Sequence, residues 1–298
     1  MFQNHLTHCF YNVPRSDINC GGSLLIDILS GGFTIKIAIS GKGGVGKTTL
    51  AGTLARLFAR DGYNVVAIDA DPDMNLASAL GVETNPKPVT EYKEMVQSRA
   101  GAEFGMFKLN PKVDDVVDMC GCVGPDGVKL VVMGTIDTGG SGCMCPETAF
   151  LRALLRHVIL RENDLVIMDM EAGIEHLGRG TTRGVDVMIA VVEPGLRSVE
   201  TLERIKKLAS DIGVERIMAV INKTPDEPEI IMNKLNEMGI PLLGVVPYDV
   251  SLMGADLEGK SPLDVGGPAV DAIKEIKNTL ETLFGKMSQE DAEKKAAQ

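Results

Sequence analysis

The stretch GKGGVGKTT, from Gly41 to Thr49, has the spacing G-x-x-x-x-G-K-[ST]. Gly41, Gly43, Gly44, Val45 and Gly46 form a loop whose backbone N–H groups can close around phosphate oxygens. The helix expected behind it adds the positive end of its dipole, Lys47 meets the β- and γ-phosphates, and Thr48, followed by Thr49, offers a hydroxyl to Mg²⁺. Aspartates close two later apolar runs, Asp69 and Asp71 in VVAIDADPD and Asp169 in LVIMDMEAG. Ligands bind at the carboxyl ends of parallel strands, so these carboxylates stand where a metal–phosphate centre needs them. A second chemistry is sulfur. Cys143 and Cys145 in GSGCMCPE are two residues apart, so an extended backbone aims both thiolates the same way, with Cα atoms roughly 6.7 Å apart. Two thiolates are half of a tetrahedral shell, and a disulfide across so short a link would be strained.

Positioning these groups requires a sheet. Strands are expected at 34–40, 64–71, 128–134, 164–170, 185–193, 216–222 and 241–247, with helices at 48–62, 147–162, 197–212, 227–238 and 268–284. Near-continuous Val, Ile, Leu and Met runs mark strands buried on both faces, which implies an α/β fold with a doubly wound, mostly parallel sheet. One domain is expected over 34–285, preceded by an extension at 1–33 that reads as disordered or as a non-native start, and followed by a polar tail at 286–298. The stretch 82–118 has little periodicity and three prolines, and is expected as an insertion or mobile flank.

A chain of 298 residues with 44% hydrophobic content can bury its own core. Its net charge of −11 argues against a nucleic-acid surface, which depends on clustered Lys and Arg. No apolar run is long enough to span a bilayer, the start lacks the pattern of a signal peptide, and the polar tail lacks apolar anchors, so a cytoplasmic protein without membrane attachment is expected. In that reducing compartment six cysteines point to metal or redox chemistry before structural disulfides.

Lys42, a second lysine inside the loop, resembles the deviant Walker A of the MinD, ParA and nitrogenase-iron-protein ATPases. The resemblance implies a homodimer in which Lys42 reaches the partner's nucleotide and cancels charge on the transferring phosphoryl. It further implies that Asp71 positions the attacking water, Asp69 helps to organise the magnesium site, Asp169 is the Walker B carboxylate and Gly173 offers an N–H to the γ-phosphate. Asn222-Lys223 resembles the family's base-recognising segment, and Pro247-Tyr248-Asp249 the loop along the base, which together suggest ATP. In a two-fold dimer a loop near the axis meets its own copy, so two Cys143/Cys145 pairs would complete a four-sulfur shell.

Taken together, GSGCMCPETAFLRALLRH, DMEAGIEHLGRGT, VVEPGLRSVET and the DADPD segment resemble the CooC family, nickel-insertion ATPases that mature carbon-monoxide dehydrogenase. That resemblance spans about 34–285 and implies Ni²⁺ as cargo, although a thiolate site by itself suits Zn²⁺ equally. Acetyl-CoA synthase remains open as the client. An iron–sulfur electron donor like the nitrogenase iron protein is a further alternative, weakened because Ala172 stands where that family has its second cluster cysteine. Cys120 and Cys122 form another Cys-x-Cys beside an expected turn at Gly124–Gly127, read either as an auxiliary metal site or as small buried hydrophobes. His176 is read as structural, or as a residue that senses metal, and His5, His8 and Cys9 as part of the N-terminal extension.

Overall fold

In the computed structural model the chain is described over residues 35–84, 86–101, 108, 110–135, 146–160, 165–171, 185–224 and 228–296. β1 (Ile35–Gly41) sends Ile35, Ile37 and Ile39 to one sheet face and Ala38 to the other, the two-residue alternation of a strand buried on both sides. α1 (Lys47–Arg60) lays Leu50, Leu54 and Phe58 on the first of these faces. It ends where Gly62, at φ +92°, lets the chain fold back so that Tyr63 N–H donates to Phe58 O at 3.2 Å. β2 (Val65–Asp69) then leads into the short α2 (Leu76–Leu80), which packs against α1 where Gly52 leaves room for Ala79.

The next segment departs from expectation. Residues 82–118 are no mobile flank where they are described: α3 (Lys93–Ala100) and α4 (Val116–Cys120) sink Val96, Ala100, Val116 and Val117 into the core on the face opposite α1. A one-turn 3₁₀ segment at Val89–Glu91 adds Val89. These elements are too short for helical periodicity to register in a window of 11–18 residues, and only their burial reveals them.

β3 (Cys122–Val123) and β4 (Lys129–Val132) form the expected hairpin around a turn at Pro125–Gly127. α5 (Pro146–Leu160) packs on α3, and β5 (Leu165–Glu171) and β6 (Val187–Val192) follow on the two sides of β1. α6 (Leu196–Ile212), β7 (Ile217–Asn222), α7 (Glu229–Met238) and β8 (Leu242–Val246) extend the sheet outward. The order is β3-β4-β2-β5-β1-β6-β7-β8, parallel throughout except for β3. The doubly wound, mostly parallel sheet expected from the sequence is therefore present.

After α8 (Val250–Leu257) and α9 (Pro262–Val265), α10 (Pro268–Ala296) covers the α1 face of the sheet. It runs well beyond the expected end at 284, and Met287 is still buried, so the polar residues from 286 continue a docked helix. No helix among the described residues is long and apolar enough to cross a membrane.

Candidate nucleotide site

Strand register explains why the chemical residues meet. On β5, Leu165 and Ile167 face α1, so Asp169 faces α1 too; it pairs in register with Ile39 of β1 and Asp69 of β2. α1 begins at the end of β1, which places Thr48 over that same point: its hydroxyl donates to Asp169 Oδ2 at 2.6 Å. Asp169 is wholly buried, its Oδ1 has no hydrogen-bond partner, and burial pushes its pKa up to about 6. An orphaned carboxylate oxygen beside a threonine hydroxyl is a pair of hard oxygen donors of the kind that suits Mg²⁺.

Asp69, also wholly buried, serves a different purpose. Its Oδ2 accepts the Leu76 N–H at 2.9 Å and its Oδ1 the Asp71 N–H at 3.2 Å, so it fixes the turn that carries Asp71 and starts α2. Burial raises its pKa to about 7, against the lowering effect of those two donors. Asp71 in turn holds Lys47: Oδ2 lies 3.1 Å from Nζ, with the side chains only 11% and 4% exposed. Lys47 Nζ also lies 3.5 Å from Lys42 O, whereas Lys42 itself is exposed.

The loop between β1 and α1 has the shape its glycines permit. Gly44 and Gly46 have φ of +77° and +94°, and Gly41 passes so close to β6 that a Cβ there would sit 2.5 Å from Val191 O. A Cβ on Gly46 would lie 2.2 Å from Asn222 Nδ2. Gly46→Ala therefore combines left-handed strain with a clash. We expect it to lower the melting temperature, at a cost of about 1–3 kcal/mol, and to weaken ATP at least about tenfold by displacing the loop. Differential scanning fluorimetry and ATP titration read the two effects; unaltered ATP affinity would contradict the second.

Asn222 and Lys223 lie against this loop, donating to Val45 O at 2.7 Å and Gly44 O at 2.6 Å. Glu193, to which sequence reasoning gave no role, lies 2.7 Å from Lys223 Nζ; an acid closing the strand next to the one that carries Asn222 was the available signal. Tyr248 is exposed, Pro247 half-buried, and Asp249 accepts the N–H groups of Ser251 and Ala269, which ties the starts of α8 and α10 together.

Cys143, Cys145, Gly173, His176 and the N-terminal cluster lie outside the described residues, among which no group of three or more acidic, histidine or cysteine side chains is placed to hold a metal. Cys120 and Cys122 do not share a site. Cys120 belongs to the core on the α3 face and Cys122 packs against the core on the α1 face, and burial raises both thiol pKa values, the opposite of what a thiolate ligand needs.

Comparison with known proteins agrees with this geometry. Residues 36–263 match the CobQ/CobB/MinD/ParA nucleotide binding domain. An uncharacterised ATP-binding protein of Methanocaldococcus jannaschii is 44% identical over 253 residues, 83% of this chain and 97% of that protein. The carbon monoxide dehydrogenase accessory protein CooC of Rhodospirillum rubrum is 44% identical over 240 residues, 78% of this chain and 90% of that protein. The septum site-determining protein MinD of Pyrococcus horikoshii, solved with Mg-ADP, shares the fold at a TM-score of 0.62 and 21% identity, over 85% of this chain and 98% of that one. Matched by family over most of its length and carrying the complete phosphate loop with its strand-end carboxylates, the chain belongs to the CobQ/CobB/MinD/ParA nucleotide-binding family and is an ATPase.

Proposed function

We propose that this ATPase is a maturation factor for carbon monoxide dehydrogenase, binding nickel as cargo between two copies of the chain and releasing it to the client enzyme in step with ATP hydrolysis. The observation that carries the reading is the 44% identity to CooC over 90% of that protein, which is far above the similarity to the MinD and ParA structures. In this reading Lys47 grips the β- and γ-phosphates, Asp71 orients the attacking water, and Lys42, exposed at the loop, reaches the partner copy's nucleotide. Thr48 and the unpartnered oxygen of Asp169 fit Mg²⁺, and Asp69 supports that site indirectly through the turn it braces. The cation, when bound, neutralises charge on the phosphate oxygens.

Cys143 and Cys145 are the proposed thiolates for the nickel. Each copy supplies two, and the pair of copies supplies four, so binding of the metal and pairing of the chains stabilise each other. The segment immediately precedes α5, whose start at Pro146 brings a helix N-terminus close by in sequence; such ends favour thiolate over thiol. A reducing compartment, the cytoplasm, keeps these cysteines available.

Cys143→Ser and Cys145→Ser are expected to abolish stoichiometric nickel binding while leaving ATP affinity within about twofold, because the phosphate loop is built from other elements. Elemental analysis of purified protein, with light scattering in the presence and absence of ATP, checks both the metal and the dimer. Nickel retained in full by either variant, or by a monomer, would overturn the shared-site reading.

A further inference from the structure

Lys223 has a φ of +58°, a left-handed backbone that residues with a Cβ seldom adopt. Its place at the end of β7 gives that strain a purpose. Val220 faces α1, and so does Asn222 two residues on; in a continuing strand Lys223 would point to the other face, away from the phosphate loop. The left-handed turn brings it back. Nζ donates to Gly44 O at 2.6 Å and lies 2.7 Å from Glu193 Oε1, while Lys223 N–H donates to Asn222 Oδ1 at 2.9 Å. Glu193 arrives on the same side, two residues beyond Val191, which also faces α1.

Two consecutive carbonyls of the phosphate loop, Gly44 O and Val45 O, are thereby held from outside, by Lys223 and Asn222. A trans peptide sets its C=O and N–H in opposite directions. Holding Val45 C=O toward Asn222 turns the Gly46 N–H toward the inside of the loop, and the Gly44 anchor fixes the turn in which Val45 N–H donates to Lys42 O at 3.3 Å.

The geometry points to Lys223, braced by Glu193, as a positioning residue that presets the loop for the polyphosphate of any nucleotide. In this arrangement Lys223 acts on the phosphate end and does not read the base, in contrast to the expectation drawn from family resemblance. The inference rests on nucleotide binding alone, so it stands or falls independently of the nickel cargo.

The test uses the full chain with Lys223→Gly, Lys223→Arg and Glu193→Gln, titrated with ATP and with inorganic tripolyphosphate in the presence of Mg²⁺. Glycine accepts positive φ, so Lys223→Gly should melt at an equal or higher temperature while Kd for both ligands rises together by about tenfold or more, the loss expected for one charge-assisted hydrogen bond. KM for ATP should rise with Kd and kcat at saturation should change little. Lys223→Arg should recover part of the affinity, and Glu193→Gln should weaken both ligands by less. Loss of ATP with tripolyphosphate unaffected would make Lys223 a base contact and overturn the inference. Unchanged affinity in Lys223→Gly, or a loss that appears only together with a lower melting temperature, would overturn it as well.

Discussion

Asp169→Asn is expected to reduce Mg²⁺-dependent ATP hydrolysis by about 100-fold or more and, at pH 8 without nucleotide, to make the protein harder to melt than the wild type. The two effects share one cause. Asp169 is wholly buried with one oxygen unpartnered, and its pKa is raised to about 6, mainly by burial, with Thr48 and Lys47 acting in the opposite direction. A carboxyl whose folded pKa lies above its unfolded value favours the folded state while protonated. That contribution is complete below the ordinary carboxylate range and is lost as the pH rises through about 6. Above this the nucleotide-free protein pays for a buried anion, by about 2–3 kcal/mol at most, which in a domain of this size amounts to roughly 5 °C of melting temperature. Asn carries no charge at any pH, so the advantage of the variant should grow between pH 4 and pH 8. Asp69, raised to about 7 by the same burial and in part by the Asp169 charge, loses that second contribution in the variant, which adds to the variant's advantage at high pH. Adding Mg²⁺ and ATP should reverse the order, since the cation stabilises only the protein that retains the carboxylate. A melting difference independent of pH would show that Asp169 is not held at a desolvation cost.

Much of this site was legible because its parts are local in sequence. The loop Gly41–Thr49 needs only a strand before it and a helix behind it, and Asp69 and Asp169 could be placed because each closes an apolar run whose length identifies a buried strand. The sheet class followed from the same runs, and the hairpin from the turn residues Gly124–Gly127.

What was not legible depends on register and on side-chain competition. Nothing in the sequence says that β5 lies between β1 and β2, yet that order puts Asp69 and Asp169 side by side and explains why the Asp169 charge adds to the raised pKa of Asp69. The sequence also does not show that Asp69 spends both oxygens on backbone N–H groups, those of Asp71 and Leu76. Likewise the sequence does not show that Asn222 and Lys223 also hold the loop backbone, the first through the parity of β7 and the second through a left-handed turn. The packing of the stretch 82–118, expected as an insertion or a mobile flank, was hidden for another reason: its buried valines are spread over elements of three to eight residues, too short to display a period.

Lys47→Met is expected to lower ATP affinity by at least about 100-fold and to remove measurable hydrolysis, and the ion pair it breaks makes a sharper experiment available. Without nucleotide Lys47 is committed to Asp71 at 3.1 Å, both side chains largely out of water. In the proposed mechanism ATP draws the ammonium off that carboxylate and onto its phosphates, and the exchange frees Asp71 for water. Lys47→Met leaves Asp71 half-buried with no cation, so the nucleotide-free protein should also be less stable, by about 1–3 kcal/mol. Asp71→Asn added to Lys47→Met should recover most of that stability and none of the ATP affinity. Asp71→Asn alone should bind ATP as tightly as the wild type or more tightly, since the lysine no longer has a competing partner, while hydrolysis falls by about 100-fold. A double-mutant cycle in stability, alongside ATP titrations of the same four proteins, separates the two functions of Lys47. Recovery of ATP affinity by the double variant, or normal turnover in Asp71→Asn, would mean that the exchange of Lys47 between Asp71 and phosphate does not drive the reaction.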